Sequence, residues 1–189
     1  MIRAPLAPLS SDRHRQLLDV AGRHFASDGP RGASLNRILA EAGVSKGVAY
    51  YYFADKDDLL ASVIEDAWAA LAPHLPDEAA PLDWAALHRL HRAHLGLLRA
   101  RPWLTELPRH ELPPAVAARL QPSFVRLQAL WPRALAAGLI RRDLPDALVM
   151  AMIRGLDEAI DRWWVASPEA TWDDTDRAFA ALRALVEPR

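Results

Sequence analysis

A chain of 189 residues, of which 51% are hydrophobic, is long and apolar enough to bury a core, which excludes intrinsic disorder. It has no cysteine, which excludes disulfides and cysteine-based zinc sites, and its net charge of -1 argues against a non-specific coat on nucleic acid. Because the N-terminus lacks a signal-peptide core and no apolar run reaches the roughly 18 residues that span a bilayer, we expect a soluble, cytoplasmic protein.

Helical periodicity runs along the whole chain, without alternating β-branched runs or Asn-Gly and Asp-Gly hairpin signals, so the predicted fold class is all-α. A first helix is predicted over residues 11–27, where Asp28-Gly29-Pro30 stops it. Two short helices follow, after Ser34 and Ser45, because a serine hydroxyl can cap the free N–H groups of a helix start. They are too short to be stable alone, so we expect them to pack together.

The helices that follow are longer. One is predicted over residues 56–71 with Asp55 as its cap. Prolines break the chain over residues 73–81, and another helix is predicted over residues 83–100. Further prolines punctuate short helices, and Pro114 is well placed at a helix start.

Two long apolar helices are predicted at the end of the chain. The first covers residues 145–166, and the second follows the capping box Thr171-x-x-Asp174. The first is apolar on more than one face, and small residues recur every four positions. A single monomer would struggle to cover both faces, so the pattern favours a two-fold homodimer.

Lysine and tyrosine are concentrated in one short stretch. Both lysines and all three tyrosines lie within residues 46–56, although every other Lys/Arg position is arginine. Amines and phenols suit phosphates and base edges, so this stretch is predicted to be a working surface. Residues 1–56 carry eight Lys/Arg against five Asp/Glu, a modest excess. Contact with nucleic acid must therefore depend on where the cations lie.

The turn Ala42-Gly43-Val44 between the two short helices is typical of a helix-turn-helix, because glycine permits a left-handed backbone and valine packs inward. The stretch 34–60, SLNRILAEAGVSKGVAYYYFADKDDLL, resembles the N-terminal domain of TetR/AcrR-type transcriptional regulators. The first helix fits the same family through Leu17-Leu-x-x-Ala21 and Phe25-x-x-x-Gly29. Together these motifs cover about a quarter of the chain.

The resemblance implies which residues meet DNA. Lys46 and Gly47 would face base edges at the start of the recognition helix, and Tyr50 and Tyr51 would touch the phosphate backbone. Val48 departs from the family pattern, in which threonine is commoner and supplies a hydroxyl to phosphate. Tyr52 and Phe53 are expected to hold the recognition helix against the first helix. The predicted DNA contacts are Ser34, Asn36, Arg37, Lys46, Gly47, Tyr50, Tyr51 and Lys56.

In the proteins that the sequence resembles, the body is a helical ligand-binding domain whose last two helices pair with those of a second subunit. The predicted interface residues are Leu148, Ala151, Met152, Gly155, Leu156, Ala159, Ile160, Trp163, Phe179, Leu182 and Val186. Tryptophan and methionine in the body suggest an apolar, or even aromatic, effector, although any one Trp can equally be core packing. The candidate pocket residues are Trp68, Trp84, His88, Trp103, Phe124, Leu127 and Trp131.

Three histidines, His88, His91 and His94, recur at every third position of the predicted helix 83–100. Imidazole is a common metal ligand. The third histidine, however, lies some 120° around the helix from the first, and Arg89 and Arg92 would repel a cation. We therefore expect neither a metal nor another cofactor.

These patterns together predict a sequence-specific transcriptional regulator of DNA, not an enzyme. It would be a repressor that binds a pseudo-palindromic operator as a homodimer and is relieved by a small effector. Residues 1–57 would form the DNA-binding domain, with the helix-turn-helix at about 34–53, and residues 58–189 the effector-binding and dimerisation domain. The alternatives are an activator, an architectural DNA-binding protein without a sensor and, more remotely, a histidine-based metalloenzyme.

Overall fold

The computed structural model describes residues 10–188, which form nine α-helices and no strand. The predicted all-α fold class is confirmed. Residues 1–9 and residue 189 lie outside the described residues. The expectation that the N-terminus lacks a signal-peptide core falls on residues 1–9. Within residues 10–188, no helix combines the length and the hydropathy needed to cross a membrane.

Short 3-10 turns separate some of the helices, at Ala72–His74, Pro102–Thr105 and Leu107–Arg109. The nine helices are α1 (Ser11–Gly32), α2 (Leu35–Glu41), α3 (Lys46–Tyr52), α4 (Lys56–Leu71), α5 (Trp84–Ala100), α6 (Pro114–Gln128), α7 (Leu130–Ala136), α8 (Asp146–Ala166) and α9 (Trp172–Val186).

The predicted helix boundaries follow from local chemistry. The backbone of α1 breaks at Gly29, with φ 72° and ψ 165°, where the first helix was predicted to stop, and one more turn follows. The helix predicted to start near Asp83 is α5, and Asp83 caps it by accepting a hydrogen bond from Ala86 N–H at 2.7 Å. The predicted capping box of α9 is also confirmed, since Thr171 and Asp174 bond each other's backbone N–H.

The packing divides the chain into two units. Unit 1 comprises the residues up to Ala69 together with Trp103–Pro122. Unit 2 comprises Ala70–Pro102 together with the residues from Ser123 onward. Helices α4 and α6 thus contribute residues to both units. The predicted division after residue 57 follows the helix-turn-helix motif and not the packing, and it stays a prediction about function.

In unit 1 the core forms between α1, α2 and the first half of α4. Leu17 and Phe25 of α1, Ile38 of α2 and Leu59 and Leu60 of α4 are fully buried. Fully burying one such side chain contributes about 1.5–3 kcal/mol. The tertiary core therefore stabilises the two short helices, α2 and α3, which propensity alone would leave unfolded.

In unit 2, α5, α8 and α9 pack around Trp164, whose side chain is 1% exposed. Its indole Nε1–H donates to the Leu95 carbonyl oxygen at 2.8 Å, and the Arg99 guanidinium lies 3.3 Å from its ring centroid. Arg99 also donates to the carbonyl oxygens of Trp164, Ser167 and Ala170. One arginine therefore both covers the ring and satisfies the carbonyl groups beyond the end of α8.

Candidate functional site

The turn between α2 and α3 has the geometry of a helix-turn-helix. Gly43 has a φ of 64°, and the buried Val44 donates its N–H to the Leu39 carbonyl at 2.9 Å. The Ser45 hydroxyl accepts a hydrogen bond from Val48 N–H at 3.4 Å and caps α3. Local residue chemistry thus sets both the turn and the start of the second helix, as predicted.

One face of α3 lies in solvent. Lys46 and Gly47 in the first turn are exposed, Tyr50 is 55% exposed and Tyr51 75%. Two neighbouring tyrosines with so much ring in water are uncommon, because large aromatic side chains bury readily. The structure therefore brings four of the predicted DNA contacts together on one surface, which we call the α3 face.

The opposite side of α3 is anchored. Ala49 and Phe53 are buried, and Tyr52 is half-buried. The Tyr52 ring meets the His14 ring edge-on at a centroid distance of 5.8 Å, and Phe53 stacks on His14 at the same distance. This agrees with the expectation that Tyr52 and Phe53 hold α3 against α1.

The α2 residues that were predicted to be DNA contacts differ in their surroundings. Asn36 and Arg37 are exposed, and an Arg37 nitrogen lies 3.7 Å from an Asp28 carboxylate oxygen. Ser34 is half-buried, and its hydroxyl accepts from Arg37 N–H at 3.5 Å. Ser34 is thus already used as the cap of α2, whereas Asn36 and Arg37 present their side chains to solvent.

The structure gives Lys56 a different role from the predicted phosphate contact. Its ammonium donates to the carbonyl oxygens of Arg31 at 3.1 Å and of Ala33 at 3.0 Å, and the side chain is half-buried. A cation on the carbonyl groups beyond a helix end stabilises that end. Lys56 therefore joins the start of α4 to the end of α1, and we do not count it as part of the α3 face.

Unit 2 encloses a cavity of about 470 Å³, a size typical of small-molecule sites. Three of the predicted pocket residues, Trp84, Leu127 and Trp131, line it. Most of the wall is aliphatic or aromatic. The remaining lining residues are Leu71, Leu87, Leu90, His91, His94, Leu130, Ala134, Ile140, Ile153, Asp157, Asp161, Phe179, Leu182 and Val186.

Four of the predicted pocket residues do not line the cavity. Trp68 and Trp103 belong to unit 1, whereas the lining residues all belong to unit 2. The His88 Nε2 lies 2.8 Å from an Asp176 carboxylate oxygen, which accepts its hydrogen bond, and the His88 ring packs on Phe179. Phe124, in α6, is half-buried away from the lining. The sequence showed which residues are aromatic, but it did not show which of their side chains face the cavity.

One part of the cavity wall is polar. The His94 Nε2 lies 3.0 Å from an Asp161 carboxylate oxygen, and although burial opposes its charged form, the bond to Asp161 raises the pKa of His94. Burial and then the positive field of His94 lower the pKa of His91 to about 4, so His91 is neutral at pH 7. Burial and then the neighbouring Asp161 raise the pKa of Asp157 to about 6.

Two of the three histidines of α5 are each paired with an aspartate, His88 with Asp176 and His94 with Asp161. Within residues 10–188, no group of three or more His, Cys, Asp or Glu side chains is arranged to hold a metal ion. The sequence analysis missed His91, Asp157 and Asp161 as lining residues. The signal that it contained was a pair of carboxylates four residues apart, Asp157 and Asp161, on one face of a helix.

The predicted dimer residues separate into two groups. Leu148 is 48% exposed and Trp163 40%, and the small residues Ala151, Gly155 and Ala159 between them are also exposed, whereas Met152 is half-buried. The others face their own unit. Ile160, Leu182 and Val186 are buried, Leu156 packs on the core, and Phe179 lines the cavity. The exposed residues of the predicted set and the neighbouring exposed Ala147 form a surface that we call the α8 face, which consists of Ala147, Leu148, Ala151, Gly155, Ala159 and Trp163.

The chain is similar in sequence and in fold to known bacterial transcriptional regulators. The family model "Bacterial regulatory proteins, tetR family" matches residues 17–63. The chain is 32% identical over 162 residues to the HTH-type transcriptional repressor SCO4008 of Streptomyces coelicolor, covering 82% of this chain and 79% of that protein. It is 28% identical over 176 residues to the HTH-type transcriptional regulator BetI of Escherichia coli, covering 85% of each. A solved TetR-like transcriptional regulator from Rhodococcus sp. RHA1 superposes with a TM-score of 0.67 at 26% identity, covering 97% and 96% of the two chains.

Proposed function

Since this chain belongs to the TetR family of DNA-binding transcriptional regulators, we propose that it is a repressor that binds a pseudo-palindromic operator through the α3 face. The observation that carries the proposal is the exposure of Lys46, Gly47, Tyr50 and Tyr51 on one side of a helix that follows a helix-turn-helix turn. A relative that is named a repressor, SCO4008, supports the sign of the regulation.

Each part of the α3 face has a proposed role. The Lys46 ammonium donates to guanine O6 or N7 in the major groove, and Gly47 lets the helix backbone approach the base edges. Tyr50 and Tyr51 donate their hydroxyls to phosphates, and their rings pack on sugars. Asn36 and Arg37 of α2 add contacts to the DNA backbone. Lys56 is left out, because its ammonium is already bonded to carbonyl oxygens of α1 and its end.

We propose that a two-fold dimer places one α3 face in each half-site. The α8 face supplies the self-complementary surface, because its small residues permit close helix approach and its large ones, Leu148 and Trp163, stay partly exposed in a single chain. Leu185 of α9 is also exposed. A palindromic operator with half-sites about one helical turn apart follows from that symmetry.

The cavity of unit 2 is the proposed effector site. Effector binding there would favour a conformation of the body in which α4 swings and the two α3 helices no longer match successive major grooves. Helix α4 suits this role because it starts at Lys56, beside the helix-turn-helix, and its last residue, Leu71, lines the cavity. The effector thereby relieves repression.

The proposal is tested by selecting duplexes from a random-sequence DNA library with the purified protein. We expect enrichment of one pseudo-palindromic site by the native protein and by Arg89→Glu, which reverses an exposed charge on α5. Lys46→Glu should enrich nothing, although the change in net charge is the same. Absence of an enriched site for the folded native protein, or its survival in Lys46→Glu, would contradict the proposed interface.

Repression itself is tested with the selected site placed in the promoter of a reporter gene. We expect the expressed protein to lower reporter output and the Lys46→Glu variant to restore it. A rise in output with the native protein would replace the repressor with an activator and leave the DNA interface in place.

A further inference from the structure

The cavity of unit 2 contains polar atoms that the protein itself leaves unpaired. Within residues 10–188, Trp84 Nε1, His91 Nε2 and Asp161 Oδ1 are buried and have no hydrogen-bond partner, and all three residues line the cavity. An unpaired buried donor or acceptor costs about 1–3 kcal/mol, so native structures seldom keep one without a function. Three around a single cavity indicate a ligand site, in which a donor group of the ligand can complete the Asp161 oxygen, whereas the Trp84 N–H, itself a donor, stays without an acceptor.

The charges at this cavity are predominantly negative. Asp157 and Asp161 both line it, and neither Lys nor Arg occurs among its lining residues. His94 offsets one of the two carboxylates through its bond to Asp161, and the neutral His91 offsets none. Two arginines on the helices that supply lining residues are already paired, since Arg92 bonds Asp176 and Arg183 bonds Glu187. Among the lining residues, one carboxylate therefore has no cation to balance it.

The rest of the wall determines the body of the ligand. Trp84, Trp131 and Phe179 stand among leucines and isoleucines, which favour an apolar or aromatic skeleton. A carboxylate ligand would bring a second negative charge to a wall that holds no arginine or lysine. A buried cation, in contrast, is stabilised only where an acceptor or counter-charge awaits it, and Asp161 Oδ1 and Asp157 provide both.

We propose that the effector is a lipophilic amine, whose ammonium group is held between Asp157 and Asp161 while its apolar body fills the cavity. This inference rests on the proposed function, because it assigns a chemical class to the same effector site. It also sharpens the sequence-based expectation, which specified only an apolar or aromatic effector.

The test uses three probes that share a skeleton and differ only in the head group: 4-phenylbutylamine, 4-phenylbutan-1-ol and 4-phenylbutanoate. Each is titrated into the full-length dimer at pH 7.5 by calorimetry. We expect the amine to bind at least about tenfold more tightly than the alcohol, since a hydrogen bond to a charged group contributes about 1.5–3 kcal/mol and tenfold is about 1.4. The carboxylate should bind most weakly.

Two variants locate the preference. In Asp161→Asn and in Asp157→Asn the preference for the amine over the alcohol should fall to about threefold or less. Glu158→Gln removes one negative charge from the exposed side of the same helix and should keep the full preference. The order of affinity of the three probes is measured on the native protein, so the inference can be tested even if a variant does not fold.

Equal binding of the amine and the alcohol, tighter binding of the carboxylate, or no binding of any probe would overturn the inference. A preference that persists in both aspartate variants would overturn the assignment of the ammonium site. These outcomes are separable from failure of the proposed function, because operator selection by the unliganded protein measures DNA binding without any effector.

Discussion

The indole ring of Trp103 lies directly on Gly22, so that a β-carbon at position 22 would stand 2.5 Å from the Trp103 Cζ2 atom. The same indole donates its Nε1–H to the Asp19 carboxylate at 2.9 Å. Glycine is therefore required at position 22 by the close approach of the ring, and the pair fixes the turn at Pro102–Thr105 on α1.

Gly22→Ala should consequently destabilise the protein, although alanine is the better helix former. We expect a loss of about 1–3 kcal/mol in the free energy of unfolding, the usual cost of overpacking a core. Gly96→Ala is the matched control, because its β-carbon would meet Trp172 at an ordinary 3.8 Å inside α5. That control should gain up to about 1 kcal/mol from helix propensity. Urea denaturation measures both, and equal stability of Gly22→Ala and the native protein would contradict the packing described.

The Arg119 side chain bridges α6 to α4 through ion pairs with Asp58 and Glu65. Because Arg119 is 41% exposed, solvent screens these pairs, and we expect Arg119→Ala to cost only about 0.5–1 kcal/mol. The cost should shrink in 1 M salt, where the Debye length is about 3 Å. Arg126→Ala, whose partner Glu78 is 71% exposed, should be neutral. A loss at Arg119 that does not change with salt would point to packing instead of charge.

The α8 face is tested by Leu148→Arg, which places a charge at the N-terminal end of this face, within the proposed dimer interface. We expect the variant to be monomeric in size-exclusion chromatography with light scattering at concentrations where the native protein is a dimer. Val125→Arg is the matched control, since Val125 is 49% exposed, close to the 48% of Leu148, but lies on α6. Dimerisation of Leu148→Arg as tight as that of the control would move the interface elsewhere.

Asp157 should make the stability depend on pH. Burial and the neighbouring Asp161 raise its pKa from 3.8 to about 6 in the folded protein. The folded state therefore holds the proton more tightly. Its stabilising contribution is complete below the unfolded pKa and is lost as the pH rises through about 6.

Asp157→Asn removes the carboxyl group whose ionisation above about pH 6 destabilises the folded state. We expect the free energy of unfolding at pH 7.5 to rise by roughly 1–3 kcal/mol, since one pKa unit corresponds to about 1.4 kcal/mol, and most of the gain to vanish at pH 4. Urea denaturation at one protein concentration measures the difference at both pH values. Glu158→Gln should show no such dependence, and a gain of equal size at both pH values would exclude Asp157 as its source.

The elements that sequence predicted best are those fixed by neighbouring residues. Ser34, Ser45, Asp55 and Asp83 each bond a backbone N–H three positions on, so a local pattern was enough to locate the helix starts. A helix start was predicted at Pro114, where α6 begins, but the end of that helix and the whole of α7 were not assigned, and α6 continues through Pro122.

Contacts between distant residues were the part that sequence could not supply. Periodicity showed that α8 is apolar on two faces, but not that Ile160 turns to its own core while Leu148 remains exposed. Similarly, the sequence does not distinguish Trp103 from Trp131, yet Trp103 packs on α1 and Trp131 lines the cavity. Which partner a side chain meets depends on contacts some 80 residues away, as for Trp103 and Asp19.

The claim that α3 reads DNA is tested most directly by the affinity of Lys46→Ala for the selected operator. We expect the affinity to fall roughly tenfold or more below that of the native protein, since one good base contact contributes about 1–3 kcal/mol, with little change for a scrambled duplex. Arg89→Ala, which removes an exposed cation far along the chain, should bind as the native protein does. Operator affinity unchanged in a folded, dimeric Lys46→Ala would contradict the claim that α3 reads DNA.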